Sequence, residues 1–245
     1  MAPVSRPSVR RIAAILVLLG GAVSALLWFL ARDDRAVTLT GSERTWLTKS
    51  AGSSLLCFNA DFPPIEFADS GGAFIGMGAD VFRLIERRLG QTFPRRAVES
   101  WPKHLSALRD GSCALAPTIV QTEARRRYVH FTTPYARVPV VIIGEQRLGH
   151  NLSLADLKGL KVAVVADFAT EGHVRRHGRG LKLKRVKDVQ AGVRAVAFRQ
   201  VDAFVGNLAG AAHFIHKNGI TNLQVVGEAN YDFVFRIAVS RHYPE

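Results

Sequence analysis

Only two cysteines, Cys57 and Cys113, occur in the 245 residues, and neither belongs to a Cys-x-x-Cys pair. No clustered histidine set is present either, so the donor patterns of a metal site are missing and no metal or cofactor is expected. The G-x-S-x-G and Ser-x-x-Lys signatures of a serine nucleophile are also absent. Asp61, Glu66 and His130 are the available acid-base groups. Their carboxylates lack a recognisable partner and His130 lies on an alternating strand, so no enzymatic activity is expected. Glycine and proline are scattered rather than periodic, and with 48% apolar residues this excludes collagen-like and disordered chains. Acidic side chains are scarce beside basic ones, 20 against 33, giving a formal charge of +13. That surplus suits nucleic acid, anionic lipid, an anionic ligand or a solvated basic surface. No C2H2 spacing or aromatic-basic RNA pattern accompanies it, so nucleic acid is not an expected partner.

Long apolar runs are limited to one. Ile12 to Ala31 is a stretch of 20 residues without a charge, long enough as a helix to cross a hydrocarbon core. Arg6, Arg10 and Arg11 precede it, whereas Arg32, Asp33, Asp34 and Arg35 follow with no net charge. The positive-inside rule then leaves residues 1–11 in the cytoplasm and the rest outside. Val23-Ser24-Ala25 offers the small residues of a signal-peptide cleavage site. Cleavage there would leave Leu26 to Leu30 as an exposed apolar terminus, which favours an uncleaved anchor over residues 12–31. Export places the cysteines in an oxidising compartment. They could form one bridge or remain two buried thiols, since facing cysteines on neighbouring strands rarely meet disulfide geometry.

Beyond a linker and short helix over 32–50, the pattern alternates strand and helix. Thr40-Gly41-Ser42-Glu43 has the spacing of a capping box. "SLLCFN" is an apolar run stopped by the prolines of "ADFPP". Val81, Ile85 and Leu89 mark one face of an amphipathic helix that Gly90 ends. "TFPRRAV" reads as a strand, Pro102 to Arg109 as a helix and "CALAP" as a strand, a βαβαβ order that implies a parallel sheet. The second half repeats the arrangement. Val138 to Ile143 is apolar, "KVAVVADF" is a strand before a helix from about Thr170, and "LKLKRV" is a strand. Asp188 caps a helix with Val189, Val193, Val196 and Ala197 on one face. "VDAFVG" precedes a helix to Lys217, "NLQVV" is a strand, and "YDFVFRIAVS" alternates as a long one. Two α/β units of about ninety residues each suggest two lobes with a cleft between them: lobe 1 from 51–138 with 228–245, and lobe 2 from 139–227.

Several segments, in order, carry a family resemblance. "LLCFNADFPPIEFADSGGAFIGMGADVFRLIERRLG" resembles the opening of bacterial extracellular solute-binding proteins of family 3, with a strand, a D-x-P-P-x-x-F loop, a hairpin and a G-x-x-x-D helix. "TEARRRYVHFTTPY" is similar to that family's T-P-E-R-x-x-x-V-x-F-S-x-P-Y segment, and "LADLKGLKVAVVADFAT" to its D-L-x-G-K-x-V-x-V segment. "AVAFRQVDAFVGNLAGAAHFI" completes the order. The resemblance implies a type II periplasmic-binding-protein-like, two-lobed Venus flytrap that closes around a small solute, commonly an amino acid. "LTGSERTWLTKSAGSSL" and "VDAFVGNLA" are closer to the form found as the extracytoplasmic sensor of membrane histidine kinases and diguanylate cyclases. The implied partners are therefore a carboxylate-bearing small molecule, the inner membrane through 12–31, and a signalling output domain. The alternative is a receptor that delivers its solute to an ABC permease.

The resemblance also implies a ligand set. Its ligand arginine, four positions before the V of V-x-F, falls on Arg125, whose planar fork suits a carboxylate. Arg126 and Arg127 read as solvated charge. Thr118 and Thr122 lie where the family offers hydroxyl or backbone contacts. Phe168, Ala169 and Thr170 sit at a helix start whose free N–H groups could meet an anion. Ordinary capping accounts for these threonines equally well. Asp61, Phe62 and Phe67 belong to the first loop, and Trp101 precedes a helix; their rings could sandwich a ligand side chain or pack in the core. Asn207 holds the place where amino-acid binders carry an aspartate for the ligand ammonium. An amide brings no charge there, so an anionic solute other than a standard α-amino acid is open. Family members continue beyond the equivalent of "SRHYPE" into a further helix, so a fragment, or a chain that signals through partners, is expected.

Overall fold

The computed structural model describes residues 37–243. The apolar run 12–31, with the membrane span expected there, lies outside them. Among the described residues no helix is long and apolar enough to cross a membrane.

The chain opens on helix α1 (Gly41–Ser50), started by the expected capping box: Thr40 Oγ1 accepts from Glu43 N while the Glu43 carboxylate accepts from Thr40 N. Strand β1 (Leu56–Asn59) leads into β2 (Asp61–Phe62), β3 (Glu66–Ala68) and β4 (Phe74–Ile75), which form a small antiparallel sheet of their own. Helix α2 (Met77–Leu89) follows and ends at Gly90, whose left-handed φ of 63° lets its N–H return to the last turn. Gly78 on this helix leaves no room for a Cβ against Thr118 Oγ1, so a glycine there lets the helix start close on the strand behind it. Next come β5 (Arg95–Val98), α3 (Trp101–Asp110), β6 (Leu115–Val120), the single turn α4 (Glu123–Arg126), β7 (Val129–Phe131) and β8 (Ala136–Glu145). "TFPRRAV" thus contributes only its last four residues to a strand.

The second half contains β9 (Lys161–Val165), α5 (Ala169–His177), β10 (Lys182–Val186), α6 (Val189–Ala197), β11 (Ala203–Asn207), α7 (Leu208–Lys217) and β12 (Leu223–Ser240). The separate strands expected at "NLQVV" and "YDFVFRIAVS" are one strand of 18 residues. Its register shifts between Glu228 and Asp232, opposite Val141 and Pro139 of β8, and Asn230 within the shift adopts φ 49°. The turn-like residues between the two runs therefore make a bulge, not a break.

A single main sheet runs β10-β9-β11-β8-β12-β6-β1-β5, with β7 added on β12. The parallel pairs β1·β5 and β1·β6 form one end and β9·β10 and β9·β11 the other, while the long antiparallel pair β8·β12 joins them. The sheet is therefore mixed, not the pair of parallel sheets that the βαβ order implies. Strand β1 shows how alternation builds the first unit. Leu56 and Phe58 pack with Phe74, Phe82 and Phe93 on one face, and Cys57 packs with Trp101 and Leu108 on the other. On that second face Cys57 is bridged to Cys113, with Cα atoms 5.8 Å apart, which decides the alternative the sequence left open.

Candidate functional site

Where β6 ends, Thr122 caps α4 by accepting from Arg125 N at 3.2 Å. The single turn that follows carries Arg125 inward to 5% exposure and leaves Arg126 and Arg127 exposed. Arg126 lies at the surface, where its Nε donates to Gln121 at 2.8 Å once the Gln121 amide is turned so that its oxygen faces the guanidinium. Arg125 reaches across to the second unit. Its Nη1 donates to Val120 O at 2.6 Å and its Nη2 to Asp167 O at 2.9 Å. Its guanidinium lies over Trp101, 5.0 Å from the ring centroid. Trp101 Nε1 donates to the same Asp167 carbonyl at 3.0 Å.

That carbonyl is presented by the turn between β9 and α5. Asp167 takes a left-handed φ of 61°, a region Asp enters more readily than most residues. Its N–H donates to Glu171 Oε2 at 2.8 Å and its carboxylate pairs with Arg185 at 3.0 Å. The next residue, Phe168, sits among rings from the other unit and the connecting strand, with centroid distances of 5.3 Å to Phe62, 5.6 Å to Trp101 and 6.1 Å to Phe233. What space is left beside Arg125 is a cavity of about 20 Å³, enough for one water.

The electrostatics follow from this burial. Desolvation pulls the Arg125 guanidinium below its ordinary pKa, opposed by Tyr128, Tyr231 and Asp167, and no carboxylate among the described residues forms an ion pair with it. A buried cation is thus held by two backbone carbonyls and the Trp101 ring, with no ion-paired carboxylate among the described residues, an arrangement in which an entering anion gains strongly. His104 packs edge-on to Trp101 at 5.4 Å, and burial, then the Arg125 charge, lower its pKa to about 3. Glu66 is fully buried: Oε1 accepts from Asn59 N at 3.3 Å, Oε2 has no partner, and burial pushes the carboxyl up to about 8. Tyr135 donates to Pro117 O or Thr118 Oγ1, each at 3.0 Å, and burial raises its pKa as well.

Six of the expected site residues, Phe62, Trp101, Thr118, Arg125, Phe168 and Ala169, line the central cavity. Thr122 caps α4 and faces a larger neighbouring groove. Asp61 lies in a different groove, beside Lys187 and Asp188, where desolvation, then the Asp188 charge, raise its pKa. Phe67, Thr170 and Asn207 do not line the central cavity. Phe67 pairs with Ile75 in the small sheet, Thr170 is buried in the first turn of α5, and Asn207 caps α7 by accepting from Gly210 N at 2.8 Å. Asp167, Phe233 and Phe235 were not foreseen. The two phenylalanines stand two apart on β12 and share a face, a period-2 signal present in the sequence. The Asp167 contribution is a backbone carbonyl, which no side-chain motif announces.

The sequence profile of the bacterial extracellular solute-binding proteins, family 3, matches residues 55–219. The virulence sensor protein BvgS of Bordetella pertussis is 25% identical over 200 residues, which are 82% of this chain and 16% of that protein. The chain thus spans about one sixth of the length of this curated relative. A crystal structure of a histidine kinase sensor domain with similarity to periplasmic binding proteins superimposes with a TM-score of 0.71 at 27% identity, covering 76% of this chain and 82% of that one. The holo ArgBP of T. maritima shares the fold, with a TM-score of 0.68 at 24% identity over 81% of this chain and 86% of that one.

Proposed function

The chain belongs to the bacterial extracellular solute-binding proteins, family 3, and on that premise we propose that it is the periplasmic solute-sensing module of a membrane signalling protein, which closes two lobes on a small carboxylate-bearing ligand. The lobes are 51–138 with 228–245, and 139–227. They would pivot where the β8·β12 ladder is interrupted, at Pro139, which has no N–H to give, and Asn230. The observation that carries the reading is Arg125: a buried guanidinium between the lobes that donates to two backbone carbonyls and has no ion-paired carboxylate among the described residues. A ligand carboxylate would replace the Asp167 carbonyl on one arm of the fork and gain a charge-assisted bond that the carbonyl does not supply. Asn207, engaged as a helix cap, offers no negative charge for an ammonium group. Binding rather than catalysis is the reading, and signalling follows from a shift in the population of closed lobes.

Calorimetric titration of the full chain with a panel of monocarboxylates and amino acids tests it. At least one carboxylate is expected to bind. Arg125→Lys, which keeps the charge but loses the planar fork, should weaken that binding about ten-fold or more. Arg126→Ala should leave it nearly unchanged. Equal effects of the two substitutions, or no carboxylate bound at all, would overturn the assignment.

A further inference from the structure

Beside the small cavity at Arg125 lies a groove of about 1090 Å³ between the two units, whose wall Arg125 also joins. Arg109 and Arg127 line it from the first unit, Arg176 from the second and Tyr231 from β12. These arginines are not placed like their neighbours. On α5 itself, Arg175 is consumed by Glu171 at 2.8 Å, and on the neighbouring strand β10 Arg185 is consumed by Asp167 and Glu171 at 3.0 and 2.9 Å. Among the described residues Arg109, Arg127 and Arg176 form no such ion pair. Two of them are oriented. Arg109 stacks on Tyr128, 5.0 Å from its centroid. Arg176 folds over Gly172, where a Cβ would lie 3.3 Å from its Nη1, and Gly172 is itself part of the groove wall. Glu123 and Asp167 are the acidic residues of the wall, and Asp167 is already committed to Arg185. Four arginines therefore line one groove, and Arg125 is the buried one among them.

We propose that this groove is an outer ligand subsite, in which Arg109 and Arg176 hold a second anionic group of a molecule whose first carboxylate lies on Arg125. The solute class is then a small molecule with at least two anionic groups, a dicarboxylate or a phosphorylated carboxylic acid, in place of a zwitterionic amino acid. This deepens the reading of Arg125 as a carboxylate clamp and rests on it. The chemistry is consistent along the groove: planar guanidiniums bond carboxylate or phosphate oxygens in pairs, and stacking on Tyr128 fixes one fork at little entropic cost.

The test is the thermal unfolding of the full chain with acetate, succinate and 3-phosphoglycerate at matched ionic strength. Succinate or 3-phosphoglycerate should half-saturate at a concentration about ten-fold below acetate, one charge-assisted bond being sufficient for that gain. The stronger of the two identifies the second group as carboxylate or phosphate. Arg109→Gln with Arg176→Gln should reduce that response to the acetate level and leave the acetate response intact. Lys182→Gln with Lys184→Gln, on the exposed edge strand β10, should change neither. Three results overturn the subsite: equal responses to one and two charges, an advantage that survives the arginine double variant, or an equal loss in the lysine control, which would assign the effect to overall charge. An acetate response that disappears in Arg125→Lys, with no advantage for two charges, leaves the clamp standing and removes the subsite alone.

Discussion

At Glu66 a single carboxyl reports how much the surroundings outweigh the residue type. Glu66 reads from the sequence as an available acid-base group without a partner, and it is fully buried with one oxygen unpartnered. Its folded pKa of about 8 stands above the ordinary 4.5, so the folded chain retains a proton that the unfolded chain releases. Stability is greatest below the ordinary value and falls as pH rises through this window, by at most about 1.4 kcal/mol per unit. Glu66→Gln keeps the shape without the titration. Its stability relative to the natural chain, from urea unfolding at pH 5, 6.5 and 8, should therefore increase with pH; a constant difference would mean that Glu66 is not buried as a neutral acid. Using the difference between the two chains cancels the opposite contribution of His104, whose lowered pKa removes stability as the solution becomes more acidic.

Among the elements, the first unit is assembled by β1, which serves both faces of the sheet, and the bridge from Cys57 to Cys113 fastens β1 to the turn before β6. The bridge closes a loop with a sequence separation of 56, for which chain entropy gives a stabilisation of about 4 kcal/mol. Cys57→Ala with Cys113→Ala should lose up to that amount in urea unfolding, and a reductant should weaken the natural chain but not the variant. No response to reductant would exclude the bridge. Caps behave differently from cores at this scale. Thr40, Asp188 and Asn207 each accept from the backbone of the first turn that follows them, so Asn207, which the resemblance placed at the ligand, shares the local capping function of the other two.

For the molecule as a whole, the connection between the units decides what movement is available. Only β8 and β12 among the described strands carry pairing from one parallel unit to the other, and their ladder is interrupted at the same level on both. The contacts between the two units include two N–H donors on the Asp167 carbonyl, Phe168 among rings, and His173 against Ala229 O and the Tyr231 ring. The apolar run at residues 12–31 remains the proposed inner-membrane anchor. Expressed in bacteria, the full chain should stay with the membrane pellet after alkaline carbonate extraction, and its mature N-terminus by mass spectrometry should precede residue 12. A soluble product beginning near Ala25 would identify a cleaved signal instead and favour a free receptor.

The sequence by itself determined the alternation of elements, their caps, the inward arginine and the family, because these depend on periodicity, on local hydrogen bonding and on motifs whose spacing is preserved along the chain. Through the resemblance it grouped Phe62, Trp101, Arg125 and Phe168 in one ligand set, and the structure brings the four together at one cavity. Tertiary structure alone decided the rest. Whether two cysteines bond depends on 5.8 Å between Cα atoms, whether Glu66 is charged depends on what covers it, and the group opposite Arg125 is a backbone carbonyl that every residue possesses. Those are distances between segments far apart in the chain, and composition does not encode them one residue at a time.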